Sequence, residues 1–250
     1  MAEQITIQDL VEAGAHFGHQ KQRWNPKMRR FIFEMREGLY IIDLAKTLHQ
    51  LNQAVEMVKK AVEEHRSILF VGTKKQAKSV IREAAEAAGE YHVCERWLGG
   101  MLTNLTTIRQ SIKKLERTEK RLESGEGMTK KEASLLNKER EKLERNLSGI
   151  RSMRKAPGLV VVVDTTEEHL AVAEARKLGV PVLAIVDTNS DPDLVNLPIP
   201  ANDDSIKSIR LIIGALADAI IEKKNEMNIA LAKEDNESEE AEKEAFAFKE

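Results

Sequence analysis

A single cysteine, Cys94, stands in 250 residues, which excludes an internal disulfide and a thiolate metal cluster. Such scarcity suits a reducing cytosol. Long apolar runs are missing too: none approaches the roughly 18 residues of a membrane span. The opening Met1-Ala-Glu-Gln lacks the basic-then-apolar layout of a secretion signal. A soluble, intracellular chain is expected. The six histidines are scattered, and only His16 and His19 lie close together. Structural hydrogen bonding suits that pair better than metal binding. Cys94 falls in or beside a buried strand pattern, where it reads as inert packing rather than a nucleophile.

What is present is charge and a strand–helix rhythm. Hydrophobic residues make up 42% and charged residues 32%, enough for a real core under a densely charged surface. The net charge of −2 hides a segregation. From Glu222 onward ten acids face five lysines, so the preceding body carries a net +3. Gln20 to Arg36 holds six basic residues against one acid, and Arg109 to Lys155 fifteen against eight. Two basic patches and an acidic tail suit a nucleic-acid binder whose tail stays in solvent.

Local pattern predicts a short helix from Thr6 to Ala13 and a small hairpin from Phe31–Met35 and Leu39–Ile42. An amphipathic helix follows over Asp43–Glu64. Ser67–Val71, Leu159–Val163 and Pro181–Val186 are apolar runs of the kind buried on both faces of a parallel sheet. Shorter strands are expected at Tyr91–Cys94 and Leu197–Ile199. Helices are expected over Lys74–Ala88, Thr166–Leu178 and Asp204–Glu222. Alternation of this kind predicts an α/β fold with helices on both faces of a parallel sheet.

The alternation stops between Thr106 and Lys155. Ile108, Ile112, Leu115 and Leu122 recur at helical spacing, as do Leu136, Leu143, Leu147 and Ile150. Ser124-Gly-Glu-Gly127 reads as a turn, and Thr129-x-x-Glu132 as a capping box. The reading is an antiparallel, coiled-coil-like hairpin reaching about 30 Å from the body. The domain plan is then a discontinuous α/β body with an N-terminal basic hairpin (1–105 and 156–227), an insertion (106–155) and an acidic tail (228–250) expected to be disordered.

One enzymatic alternative is open. Gly72-Thr-Lys-Lys-Gln-Ala-Lys-Ser79 fits the phosphate-loop pattern except at Ala77, where the second glycine is replaced. Leu159–Val163 followed by Asp164 mimics the strand and magnesium-binding aspartate of such nucleotidases. Against this, a Cβ at position 77 crowds the space phosphates need. Lys74, Lys75, Gln76 and Ala77 are also good helix formers, so the helix is expected to start near Thr73. Lys74 and Lys75 at that helix start are candidate grips for a nucleic-acid phosphate. Asp164, Asp187, Asp203 and Asp204 fall where strand-end loops converge. No cofactor is required, but Asp187 and Asp203 are candidate ligands for a divalent cation, magnesium or zinc. Ordinary turn chemistry is the competing reading.

Five blocks go further. They are Ala13-Gly-Ala-His-Phe-Gly-His-Gln20 with Arg23-Trp-Asn-Pro-Lys-Met28, Leu69–Lys75, Arg96-Trp-Leu-Gly-Gly-Met-Leu-Thr-Asn104 with Thr107–Ser111, Ala184–Asp193, and Ile199–Asp204. In this order they closely resemble the bacterial small-subunit ribosomal protein S-two family, over about residues 4–222. The resemblance implies a flavodoxin-like five-stranded sheet, order 2-1-3-4-5, with a protruding helical hairpin. It implies binding to small-subunit (16S-type) rRNA near the junction of head and body. Contact with other small-subunit proteins, including the largest, S-one, is implied, as is cytoplasmic residence in the ribosome without enzymatic activity.

Individual residues fit that role. Arg23, Lys27, Arg29 and Arg30 are candidates to neutralise phosphates, flanking Asn25. Trp24 offers a stacking face, or else plugs a local mini-core. Arg96 lies at a strand exit before Gly99-Gly100, and Trp97 fits packing under the hairpin base equally well. Arg109, Lys113 and Lys114 share one helix surface, and Arg151, Arg154 and Lys155 lie near the base of the returning helix.

Overall fold

The computed structural model describes residues 5–124 and 129–247, with side chains through residue 229. The turn expected at 124–127 therefore lies almost wholly outside the described residues. Along the chain run α1 (Ile7–Glu12), β1 (Phe17–Gln20), β2 (Ile32–Arg36), β3 (Leu39–Ile42), α2 (Leu44–Glu63), β4 (Ile68–Val71), α3 (Lys78–Ala88) and β5 (Tyr91–Val93). Then come α4 (Leu105–Ser124), α5 (Lys130–Leu147), β6 (Leu159–Val163), α6 (His169–Lys177), β7 (Val182–Val186), β8 (Leu197–Pro200) and α7 (Ile206–Ala247).

The five-stranded sheet is parallel throughout, in the order β5-β4-β6-β7-β8. Numbered within that sheet the order is 2-1-3-4-5, as the resemblance implied. The period of two sorts its side chains cleanly. Ile68, Phe70, Leu159, Val161, Val163, Leu183 and Ile185 face α2, α3 and α7. Leu69, Val71, Val160, Val162, Val182, Ala184 and Val186 face α6, Trp97, Met101 and the start of the insertion. Every residue of β6 is buried, because both faces are covered.

The N-terminal segment forms a second, antiparallel sheet in the order β1-β3-β2. The β2–β3 hairpin was expected, and its turn places Glu37 and Gly38 at φ 52° and 81°, the hand that hairpin turns prefer. Strand β1 was not expected. Phe17-Gly-His-Gln20 has no alternation to signal it, and it pairs only because β3 offers an edge.

Two helices depart from expectation. Helix α3 begins at Lys78, not near Thr73: the Thr73 amide and the Lys74 ammonium are drawn to partners outside the helix. Helix α7 continues past Glu222, its expected end, to Ala247; Ala, Glu and Lys, which abound there, are strong helix formers. The insertion enters and leaves between β5 and β6. Ile108, Ile112 and Leu115 of α4, with Leu147 and Ile150, are buried, and Thr129 and Glu132 form the expected capping box.

Candidate nucleic-acid interface

In a sheet of this order, ligands enter at the carboxyl ends of the strands. Here the chain's own N-terminal segment occupies that edge. Thr188, just beyond β7, accepts the His19 amide on its hydroxyl at 2.8 Å and the Asn25 amide on its carbonyl at 2.7 Å. A Cβ on Gly18 would lie 2.5 Å from Thr188 Cγ2, so only glycine fits this approach. The Asn202 amide donates to the Ala15 carbonyl, and the Ser205 hydroxyl to that of Ala13.

Beneath this seal the charges face one another. Lys74 Nζ lies 2.5 Å from Asp203, 2.6 Å from Asp204 and 3.4 Å from Asp164. Burial opposes its charge, yet Asp203 and Asp204 hold the ammonium above its ordinary range. Lys74, expected from the sequence to grip a phosphate, is here paired with these carboxylates. His19 bridges Asp187 (3.1 Å) and Asp204 (3.6 Å), and the Asp187 hydrogen bond raises its pKa. Four carboxylates meet one ammonium and one imidazole, so negative charge is in excess. Burial first, then the Asp164 and Asp187 charges, push Asp203 up to about 7. Asp203 Oδ2 is buried without a hydrogen-bond partner among the described residues. Ligand atoms of His19, Asp203 and Asp204 lie within 4.8 Å of one another. Of the expected cation ligands, Asp203 is in that group; the Asp187 carboxylate instead accepts from Thr188 and pairs with His19.

The degenerate phosphate loop is closed as well. Glu168 is buried and accepts the Thr73 amide at 2.5 Å, putting a carboxyl where a nucleotide phosphate would need that donor. Burial raises its pKa. Lys78, in the position of the phosphate-loop lysine, bonds Glu95 at 2.8 Å, and Ala77 has no exposed surface. The late start of α3 removes one sequence argument against nucleotide binding, and these contacts supply a stronger one.

The base of the insertion is fixed by Glu174 of α6. Its carboxylate accepts from Trp97 Nε1 (3.1 Å), the amides of Gly100 (2.7 Å), Leu102 (3.0 Å) and Thr103 (3.0 Å), and the Thr103 hydroxyl (3.0 Å). Burial alone would raise its pKa, but these donors hold it below the usual carboxylate range. Gly100, at φ 88°, allows the loop to curl around the acid. Trp97 is buried packing at this base. In the sequence Glu174 is one helical acid among many; the Gly99-Gly100 pair is the only hint of a close approach.

Beside this base lies a groove of about 510 Å³, lined by Arg109, Ile112, Lys113, Glu116, Arg151, Ser152, Met153 and Arg154. The structure thus brings together four of the predicted cations from two distant segments. Arg151 is a strut, bonded to Glu119 through both terminal nitrogens. Arg109, Lys113 and Arg154 are exposed and make no salt bridge among the described residues; Lys155, also exposed, follows in sequence. Lys114 pairs with Glu139 of α5.

The remaining candidates are spread over the body. Arg23, Arg29, Lys75 and Arg96 are exposed and without salt bridges among the described residues. Lys27 pairs with Asp191 (2.7 Å) and Asp193 (3.3 Å), and Arg30 with Asp193 (2.9 Å). Trp24 is half-buried against Tyr40, ring centroids 4.7 Å apart. The Asn25 side chain caps the turn Pro26–Phe31 by accepting the Lys27 amide, a structural task. Cys94 is buried, and burial pushes its thiol up to about 12.

Residues 10–223 match the family model described as Ribosomal protein S2. The chain is 65% identical over 246 residues to the small ribosomal subunit protein uS2 of Protochlamydia amoebophila (strain UWE25), covering 98% of this chain and 90% of that one. It is 60% identical to the protein of that name from Chlamydia pneumoniae, covering 91% and 82%. For Chlamydia trachomatis serovar A the identity is 58%, covering 91% and 81%. A strand-end edge occupied by the chain's own N-terminal segment, exposed cations at the insertion and this likeness along nearly the whole chain agree: the chain belongs to the Ribosomal protein S2 family, structural and non-enzymatic proteins of the small ribosomal subunit.

Proposed function

We propose that this chain binds small-subunit, 16S-type rRNA near the junction of head and body, chiefly through the groove at the base of its insertion. The observation that carries this reading is the contrast in charge pairing. Cations at the strand ends are matched by carboxylates, whereas Arg109, Lys113 and Arg154 converge without a salt bridge among the described residues. Each phosphate neutralised by such a residue releases a counterion and adds a salt-dependent increment of affinity. Arg23, Arg29, Lys75, Arg96 and Lys155 extend the footprint, and the exposed pairs of Lys27 and Arg30 can exchange an aspartate for a phosphate. Trp24, tilted against Tyr40, acts mainly as local packing.

In this reading α4 and α5 form a protruding, antiparallel coiled-coil-like hairpin, supported by the half-buried Leu136 and Leu143 and the Lys114–Glu139 pair. The body comprises residues 1–105 and 156–227, the insertion 106–155 and the acidic tail 228–250. The hairpin and body also dock other small-subunit proteins, among them the largest, S-one. Membership of the family makes the ribosome, and so the cytoplasm, the site of action, and no described helix is long and apolar enough to cross a membrane.

The test is retention of small-subunit rRNA across a salt series. Replacing Arg109, Lys113 and Arg154 together by Gln should flatten log affinity against log salt by about 2–3 slope units. Unchanged retention would overturn the reading.

A second observation favours a divalent cation, magnesium or zinc, at the strand-end carboxylates. The buried, unpartnered Asp203 Oδ2 and the excess of carboxylates suit His19, Asp203 and Asp204 as its ligands. Titration of metal-stripped protein with zinc or magnesium should raise its thermal midpoint, and Asp203→Asn should abolish that rise.

A further inference from the structure

We propose that the open edge of strand β2 pairs with the same edge of a second copy of this chain, joining two N-terminal sheets into one antiparallel sheet of six strands. The inference concerns the free protein and stands apart from the rRNA reading. Each of the two sheets ends in two edge strands, and three of these four are obstructed. Strand β8 carries Pro198 and Pro200, which have no amide hydrogen to offer a neighbour. Strand β5 is three residues long, and Gly149 of the turn Ser148–Ile150 packs on its His92 so closely that a Cβ would not fit. Strand β1 is tied to the body through the His19 amide and the Thr188 hydroxyl.

Strand β2 has no such cover. Phe33, Glu34, Met35 and Arg36 are all exposed, Phe33 to 70% and Met35 to 50%. Glu34 and Arg36 make no salt bridge among the described residues. Proteins ordinarily blunt an edge of this kind, because its unpaired backbone groups are a template for strand addition. The register against β3 shifts between Ile32 and Glu34, but Glu34, Met35 and Arg36 pair regularly with Ile41, Tyr40 and Leu39. That regular stretch is the part available for pairing.

The order of its charges selects a second copy. Antiparallel pairing about a two-fold axis at Met35 sets Glu34 of each strand opposite Arg36 of the other. The two Met35 side chains then meet, and each Phe33 lies diagonal to the other copy's Met35, within reach of a sulfur–aromatic contact. A slip of two residues in either direction faces Glu34 with Glu34 or Arg36 with Arg36, so the charges fix one register. A contact this small makes the association weak and reversible. Arg23 and Arg29 of the same segment repel a like surface, a repulsion that salt near 150 mM screens beyond about 8 Å.

The experiment is sedimentation equilibrium of the full-length free chain over a concentration series in about 150 mM salt. The parent is expected to pass from monomer toward dimer as concentration rises. Glu34→Arg and Arg36→Glu, each alone, face like charges twice in every dimer and are expected to weaken association about 10-fold. An equimolar mixture of the two restores both opposite-charge pairs and is expected to recover the parental association as a mixed dimer. That recovery also shows that both variants fold. Under mild oxidation Met35→Cys is expected to give a disulfide-linked dimer faster than Phe33→Cys; Cys94 is buried and does not compete. A parent that stays monomeric, single variants that associate as the parent does, or a mixture no tighter than its components overturns the proposal. If the free chain is monomeric and Phe33 instead cross-links to a different protein in assembled subunits, the edge belongs to that protein, and the proposal fails.

Discussion

Two regions of this molecule carry clusters of charge, and they treat them in opposite ways. At the strand ends, Lys74, beneath the N-terminal segment, and His19, within it, lie within reach of four aspartates. At the insertion, Arg109, Lys113 and Arg154 converge on an open groove whose one acid, Glu116, lies beside Arg151, and they make no salt bridge among the described residues. The first region uses charge to seal the place where sheets of this order ordinarily take ligands. The second keeps charge available. The strand-end edge serves as a structural joint, whereas the insertion leaves its cations exposed.

The largest expected effect comes from breaking the joint. Lys74→Met leaves buried Asp203 and Asp164 without their principal cation, which should cost about 3–5 kcal/mol in denaturant unfolding. Retention of rRNA by the variant that remains folded should be unchanged. A Lys74→Met variant of normal stability that has lost RNA retention would invert the comparison.

The connection between the two regions is the next target. Glu174→Gln replaces one acceptor oxygen by an amide donor facing the donors that surround the acid, and should cost about 1–3 kcal/mol. The sign with pH follows from the lowered pKa. Its stabilisation is fully present above the unfolded value near 4.5 and is lost as pH falls through the lower, folded value. The stability difference between parent and variant should therefore be constant near neutrality and shrink in acid. A difference that grew as pH fell would show that the donors do not favour the charged carboxylate. Amide exchange over residues 97–107 should quicken in the variant.

A smaller packing effect tests the seal itself. Gly18→Ala drives a methyl into Thr188 Cγ2 and should cost about 1–3 kcal/mol by overpacking. Adding Thr188→Ser, which removes that methyl, should recover part of the loss.

How much of this was readable beforehand differs between the regions for a physical reason. The buried strands declare themselves locally: Leu159-Val-Val-Val-Val163 can be little else than a doubly covered strand. The Thr129–Glu132 capping box and the apolar stripe of α4 are likewise local signals. Strand β1 was hidden, because Phe17-Gly-His-Gln20 acquires its conformation from β3 and from Thr188. Charge composition located the basic segments but not their pairing. Whether Lys74 meets phosphate or aspartate depends on Asp203, 129 residues away. Glu174 was hidden by the same distance: its donors lie 71 to 77 residues back along the chain. The sequence reports which residues are charged; the fold decides which are already answered.

That distinction is sharpest where stability should barely move. Arg154 is exposed, lines the groove and has no salt bridge among the described residues, so Arg154→Gln should change unfolding by less than about 0.5 kcal/mol. Its effect should appear instead in the salt dependence of rRNA retention, reduced by somewhat less than one slope unit. Arg151→Gln, a few residues away, should do the reverse. It breaks the bidentate pair with Glu119 that ties α4 to the groove wall, so it should lower the unfolding midpoint more than Arg154→Gln does while changing the slope less. Two arginines three positions apart thus differ in how their charge is used, one bonded to Glu119 and the other exposed and without a salt bridge among the described residues. If the two variants gave the same pair of results, the division between answered and available charge would have no experimental content.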